Sequence, residues 1–252
     1  VPAHFIRILE LPEAVRRRSD LSSMRKILHA AAPCPPDVKR RIMDVFPPGT
    51  IWEFYGATEG PGTIIGPDEW LRKPGSVGRP WPGVTVKIFA DDGRECAPGE
   101  VGTIYRSSRS GARFRYHNAE EKTASAFRGD YFTVGDMGYV DTDGYLYISD
   151  RKHDMIISGG VNIYPLEIEH VLITHPDVVD VAVVGVPDAR WGEAVMAVVE
   201  RRKGAAVTGT ALQAWSRERM ADYKVPRIVE LVDELPRDPN GKVLKRFLRE
   251  RR

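Results

Sequence analysis

Four short stretches of this 252-residue chain carry side chains whose types and spacing could do chemistry. In Tyr55-Gly56-Ala57-Thr58-Glu59-Gly60, an apolar run gives way to small residues and then to a hydroxyl beside a carboxylate. A strand leaving a core would set both at its end, where a carboxylate can hold Mg2+ against phosphate oxygens and a hydroxyl can donate to them. The plainer alternative is a loop in which Thr58 caps a turn and Glu59 is solvated. Asp136 stands in the aromatic, glycine-bearing run Tyr131-Phe132-Thr133-Val134-Gly135-Asp136. An ionised carboxylate accepts from two neighbouring hydroxyls, which a ribose presents; a turn-capping aspartate is the alternative.

The third stretch, Asp150-Arg151-Lys152-His153-Asp154, runs into Ile156-Ile157-Ser158-Gly159-Gly160. Arginine offers a fixed fork of donors for a phosphate or ribose, and paired glycines permit close backbone approach by a narrow ligand. The same charges also suit a solvated linker. The fourth is Lys242, behind Asn240-Gly241 with Pro236 and Pro239 upstream. A rigid turn would bring its ammonium to one point, as needed where negative charge grows on an oxygen in a transition state. An ordinary surface lysine is the competing account.

The elements that must position these groups follow from periodicity. Met24, Ile27 and Leu28 fit a helix face over Ser22 to Leu28. Pro35-Pro36 opens a second helix with Val38, Ile42, Val45 and Phe46 on one side. Ile51 to Tyr55 reads as a buried strand. From about residue 75 short strands and glycines dominate, with Asp141-Thr142-Asp143-Gly144 turning a hairpin between Tyr139-Val140 and Tyr145 to Ile148. Asp141-x-Asp143-Gly lacks the rest of a calcium loop and reads as a turn. Beyond Arg151 the pattern predicts a helix at Pro165 and strands over Val178 to Val186 and Ala194 to Val199. A helix with Leu212 and Trp215, a strand over Ile228 to Val232 and a last helix with Leu244, Phe247 and Leu248 follow. The expected boundary divides residues 1–150 from a small α+β domain over 151–252.

Composition sets limits. Thirty-seven basic against 35 acidic residues leave a formal charge of +2, so no broad footprint for nucleic acid is expected. The basic run from Lys245 to Arg252 reads as a solvated helix end, whose C-terminus favours cations. Cys34 and Cys96 lie far apart without metal-ligand spacing, and the six histidines are scattered, which argues against a zinc site. Free thiols, no apolar run of membrane-spanning length and no signal peptide lead to the expectation of a cytoplasmic protein. Val1 without a preceding Met, running at once into Phe5-Ile6-Arg7-Ile8-Leu9, suggests an internal piece of a longer polypeptide.

In their order, Tyr55 to Glu59, Pro98-Gly99-Glu100-Val101-Gly102, Tyr131 to Asp136, Asp150 to Gly160 and Pro239-Asn240-Gly241-Lys242 closely resemble the adenylate-forming superfamily of acyl-CoA synthetases, luciferases and peptide-synthetase adenylation domains. The resemblance covers essentially the whole chain but corresponds to the C-terminal half of such an enzyme. It implies the α/β and β-rich remainder of a large N-terminal adenylation domain, then a small, mobile α+β C-terminal domain. It also implies roles. Ala30-Ala31-Ala32-Pro33 would wall an adenine, with Tyr55 stacked on its other side and Gly56 alongside. Thr58 would hold the α-phosphate and Glu59 the Mg2+. Asp136, assisted by Arg151, would take the ribose hydroxyls. His153 falls at the hinge; Ser158, Gly159 and Gly160 would line the pantetheine passage, and Lys242 would bridge carboxylate and α-phosphate.

Two departures stand out. The adenine segment more often begins with glycine than with Ala30, and the hinge is more often Asp or Lys, so His153 would make rotation pH-sensitive. A phosphate loop ending in Pro-Lys-Gly is not in this sequence. The implied reaction uses ATP, Mg2+ and coenzyme A to convert a fatty or aromatic carboxylic acid first to acyl-AMP and pyrophosphate, then to acyl-CoA. The upstream half of the enzyme is an implied partner, and the isolated piece is expected to bind nucleotide weakly at most. Neither a nucleic-acid partner nor a transmembrane segment is expected; self-association stays open. The alternatives are an adenylation enzyme that loads a carrier-protein thiol, and a non-catalytic binding fragment.

Overall fold

Pro2, Pro36, Pro67 and Pro165 each sit in the first turn of a helix, where a missing backbone N–H breaks no hydrogen bond. The fold around them is that of a computed structural model, which describes residues 1–107, 111, 113–239 and 241–250. The chain divides into two units, Val1–Lys152 and His153–Arg252. The architecture is a mixed α/β and β-rich region followed by a smaller α+β domain, as the sequence pattern implies.

In the first unit, α1 (Pro2–Glu10), α2 (Glu13–Arg16), β1 (Ile27–His29) and α3 (Pro36–Met43) lead into the hairpin β2 (Ile51–Ala57) and β3 (Gly60–Ile65). Then come α4 (Pro67–Arg72) and β4 (Arg79–Pro80). The strands form one sheet in the order β1-β2-β3-β4, with β1 parallel to β2. Phe5, Cys34, Val38 and Ile42 make a core that joins α1 to α3. The helix expected over Ser22 to Leu28 is not there. Met24 closes a turn onto Leu21, and Ile27 and Leu28 belong to β1, pairing with Ile51 and Trp52. Three apolar residues in so short a window cannot distinguish the two periods, and the neighbouring strand decides.

A second sheet of the same unit contains β5 (Val86–Phe89), β6 (Gly102–Ser107), β7 (Phe127–Arg128), β8 (Tyr131–Phe132), β9 (Asp136–Val140) and β10 (Leu146–Arg151), with α5 (Glu120–Ser125) between β6 and β7. Its order is β10-β9-β6-β8-β7, and β5 also pairs with β6. The Asp141 to Gly144 turn joins β9 to β10. Asp141 Oδ1 accepts from the amides of Asp143 and Tyr145, and Lys73 binds both aspartates.

The second unit contains β11 (Ile156–Ser158), β12 (Val161–Ile163), α6 (Pro165–Leu172), β13 (Val178–Asp188), β14 (Gly192–Arg201), α7 (Gly209–Arg217), β15 (Ile228–Val232) and α8 (Lys245–Arg249). The sheet order is β12-β11-β14-β13, with β15 parallel to β14. Strand alternation divides the core by face. Val181, Val183, Val195, Ala197 and Val199 join Ile168 and Leu172 of α6 and Leu212 of α7. Ala182, Val184, Met196 and Val198 join Leu248 of α8 and Leu235, which follows β15. Covering both faces explains why β13 and β14 read as continuous apolar runs; each buried Val or Leu contributes roughly 1.5–3 kcal/mol.

The basic run is less solvated than expected: Lys245 pairs with Glu169 at 2.7 Å and Arg249 with Asp154, while Arg246 stays exposed. Asn240, Arg251 and Arg252 lie outside the described residues. Among the described residues no helix is long and apolar enough to cross a membrane.

Candidate active site

The Thr58-Glu59 pair is the two-residue loop of a β-hairpin, because Ala57 of β2 pairs directly with Gly60 of β3. Thr58 is exposed at that tip. Glu59 Oε1 accepts a hydrogen bond from the Tyr116 phenol at 2.8 Å. Burial and this carboxylate together push the Tyr116 hydroxyl up to about 12. Tyr116 belongs to an aromatic group with Phe114 and Phe132, ring centres 5.1 and 5.3 Å apart in turn.

Tyr55 lies on β2, three residues before the loop. Its phenol donates to Asp136 Oδ2 at 2.7 Å, and Arg151 Nε stands 3.4 Å from Asp136 Oδ1. The arrangement follows from the ladder: Asp136 and Arg151 are paired residues of β9 and β10. Asp136 is buried while the Arg151 side chain is half exposed, so the carboxylate is a desolvated acceptor with a movable cation at its edge. Burial, then the Asp136 charge, raises the Tyr55 hydroxyl far above its ordinary value and keeps it a proton donor.

Arg106 on β6 is fully buried, with its guanidinium 4.8 Å from the Tyr55 ring centre and 5.0 Å from that of Phe132. Its Nη1 donates to the Gly60 carbonyl at 3.3 Å, and among the described residues its Nε and Nη2 have no hydrogen-bond partner. A Cβ on Gly62 would meet the Tyr55 carbonyl oxygen at 2.6 Å and Arg106 Nη1 at 3.2 Å, so only glycine fits there.

The Ala30 to Pro33 segment joins β1 to α3, and Ala31 holds a left-handed φ of +72°. Below it His29 is buried 3.6 Å from Glu53, which also takes an ion pair from the fully buried Lys39. Burial lowers the Lys39 ammonium and raises the Glu53 carboxyl, each opposed by its partner. Glu53 lies two residues before Tyr55 on β2, so this buried pair fixes the strand that carries the tyrosine.

The remaining candidates belong to the second unit. Ser158 of β11 pairs with Val161 of β12 across a Gly159-Gly160 loop whose φ values are +59° and +81°. A Cβ on Gly159 would meet the Trp191 ring at 2.8 Å, and its amide donates to the Trp191 carbonyl at 2.8 Å. Arg190 and Arg227 lie 4.9 and 4.8 Å from that ring. His153 is exposed, 3.6 Å from Asp154. Burial raises the Asp154 carboxyl, but Arg249, Lys245 and His153 hold it below its ordinary value. The Lys242 amide donates to Asp238 Oδ1 at 3.0 Å. Tyr116, Arg106, Trp191 and the Lys39–Glu53 pair were not singled out in the sequence. Only the Trp-Gly-Glu run at 191–193 offers a local signal.

The profile of the AMP-binding enzyme family matches residues 1–114, and that of the AMP-binding enzyme C-terminal domain matches residues 167–242. A long-chain-fatty-acid–CoA ligase of Bacillus subtilis (strain 168) is 39% identical over 251 residues, 99% of this chain and 44% of that protein. Among solved structures, the amide bond synthetase McbA of Marinactinospora thermotolerans superposes with a TM-score of 0.90 at 36% identity, over 99% of this chain and 50% of that one. ATP-bound MatB of Rhodopseudomonas palustris gives 0.89 at 36%, over 99% and 49%. The chain belongs to the adenylate-forming, AMP-binding enzyme family. It spans about half the length of the curated relatives it matches.

Proposed function

We propose that this chain supplies the nucleotide-binding and lysine-bearing half of an ATP-dependent acid–CoA ligase, acting on a fatty or aromatic carboxylic acid through an acyl-adenylate. The observation that carries the reading is the convergence of Arg151 and of Tyr55, which stands on the strand that ends in the Thr58-Glu59 loop, on the buried Asp136 carboxylate of β9. Asp136 accepts from the ribose hydroxyls, with Arg151 beside them. Tyr55 stacks on the adenine, walled by Ala31, Ala32 and Pro33, and Gly56 leaves backbone room. Thr58 donates to the α-phosphate.

The Glu59 carboxylate suits Mg2+: one oxygen is held by Tyr116, and a carboxylate retains further lone pairs for a hard cation. When bound, that ion neutralises phosphate charge.

In the first half-reaction a substrate carboxylate oxygen attacks the α-phosphorus and pyrophosphate leaves, while Lys242 stabilises the charge that develops. In the second, the coenzyme A sulfur attacks the acyl carbon, its proton passes to solvent and AMP leaves. Ser158, Gly159 and Gly160 line the pantetheine passage, and rotation about His153 separates the two stages. A carrier-protein thiol or an amine is the rival acceptor, and the likeness to an amide bond synthetase favours keeping it in view. Product analysis on a full-length enzyme carrying this chain as its C-terminal half, with ATP, a panel of carboxylates and each acceptor, tests the proposal. Carboxylate-dependent AMP and pyrophosphate with a coenzyme A thioester are expected; ADP as the nucleotide product would exclude it.

A further inference from the structure

Asp180 of β13 and Glu200 of β14 are directly paired residues in the antiparallel ladder. Two carboxylates facing each other in a sheet repel unless a cation lies between them. Arg237 supplies it: Nη2 donates to Asp180 Oδ2 at 2.8 Å and to Glu200 Oε2 at 3.0 Å. The guanidinium is mostly buried, and its other arm, Nη1, donates to the Gly241 carbonyl at 3.3 Å. Glu200 Oε2 also accepts the Leu235 amide at 3.0 Å. Each bond of the fork therefore ends on the sheet or on the residue immediately before Lys242.

The segment so held is closed on itself. The Leu244 amide donates to the Pro236 carbonyl, Asp238 N to the Lys242 carbonyl, and Gly241 N to the Asp238 carbonyl, at 2.8, 2.8 and 2.9 Å. Arg237 and Val243 form an isolated bridge at its neck. A turn closed only by its own bonds would keep its shape but pivot on the sheet. The guanidinium fork removes that freedom, because its planar donors fix direction as well as distance.

We infer that Arg237 is a positioning residue, clamping the Lys242 turn to the facing carboxylates of β13 and β14 so that the lysine is presented at one height above the sheet. Lys242 acting in adenylation is the reading this rests on; the clamp itself does not depend on it.

The test is amide hydrogen exchange on the 252-residue chain with Arg237→Met, Arg237→Lys and Glu200→Gln. In Arg237→Met the amides of Gly241, Lys242 and Leu244 should exchange about ten to a hundred times faster, the scale of losing charge-assisted bonds. The β13–β14 ladder amides of Val184 and Met196 should stay at their wild-type rates. Arg237→Lys, which keeps the charge but not the fork, should restore part of the protection, and Glu200→Gln should loosen the same amides less. Should Arg237→Met not fold, the other two variants carry the test. Unchanged exchange in the turn, or an equal rise in turn and ladder, would overturn the clamp. If the turn loosens as described while Lys242→Ala leaves pyrophosphate exchange intact in a full-length enzyme carrying this chain as its C-terminal half, the clamp stands and the lysine's role is what fails.

Discussion

Tyr55 and Asp136 are 81 positions apart in sequence, yet the phenol of one donates to the carboxylate of the other at 2.7 Å. The bond joins the first sheet to the second within one unit and sets a hydroxyl donor, an aromatic face and an anion side by side. Asp136→Ala is expected to weaken AMP binding about tenfold to a hundredfold, the range for hydrogen bonds to a charged group. Tyr55→Phe keeps the ring and should cost about fivefold. Titration calorimetry with AMP reads both; equal affinities in all three proteins would remove the ribose role of Asp136.

Lys39 and Glu53 are a buried ion pair, and among the described residues His29 beside them has no hydrogen-bond partner on either ring nitrogen. Removing one charge strands the other. Lys39→Met alone should destabilise the first unit by about 3–5 kcal/mol, and adding Glu53→Leu should recover most of that loss. Urea unfolding of the two variants decides the matter. A double variant no more stable than the single one would mean that the pair is worth more than its desolvation.

Acid should weaken both units. Burial, then the Lys39 charge, pushes His29 down to about 3, and burial pushes His170 down to about 4. Both are favoured neutral in the fold, so their contribution is intact above the unfolded value near 6.5 and is lost as pH falls below it. The loss is about 1.4 kcal/mol per pH unit for each until its folded value is reached. Unfolding free energies at pH 7.5 and 5 should differ accordingly, with the His29 share absent in His29→Gln. Equal stability at the two pH values would contradict the burial of both rings.

Ala31 carries a backbone conformation that costs an L-residue about 1–2 kcal/mol, and glycine gives back roughly 0.5–1 of that in unfolded-chain entropy. Ala31→Gly is therefore expected to raise stability by up to about 1 kcal/mol. The sequence drew attention to Ala30 as the place where glycine is more usual; the strained position is its neighbour. A denaturation midpoint that falls in Ala31→Gly would show the strain to be absent.

Much of the fold could be read from periodicity because the elements that matter are short and strongly patterned. Val178 to Val186, Ile228 to Val232 and the helix at Pro165 stand where the sequence puts them. Ser22 to Leu28 failed because β1 owes its existence to its partner β2, which no local window contains. Of the candidate site, Tyr55, Glu59, Asp136 and Arg151 could be proposed from their motifs. Their partners Tyr116 and Arg106 could not, since a tyrosine in a polar loop and an arginine in a strand look like surface residues until the packing is known. Arg237 was hidden for another reason. Its meaning lies in two carboxylates on facing strands, 57 and 37 positions upstream.

Comparing the two half-reactions for Lys242→Ala, in a full-length family enzyme carrying this chain as its C-terminal half, tests the whole account most directly. Carboxylate-dependent exchange of labelled pyrophosphate into ATP should fall about a hundredfold, the cost of losing one preorganised donor, while thioester formation from supplied acyl-adenylate should be largely spared. An equal fall in both, or no fall in exchange, would contradict the role of this lysine in forming the adenylate.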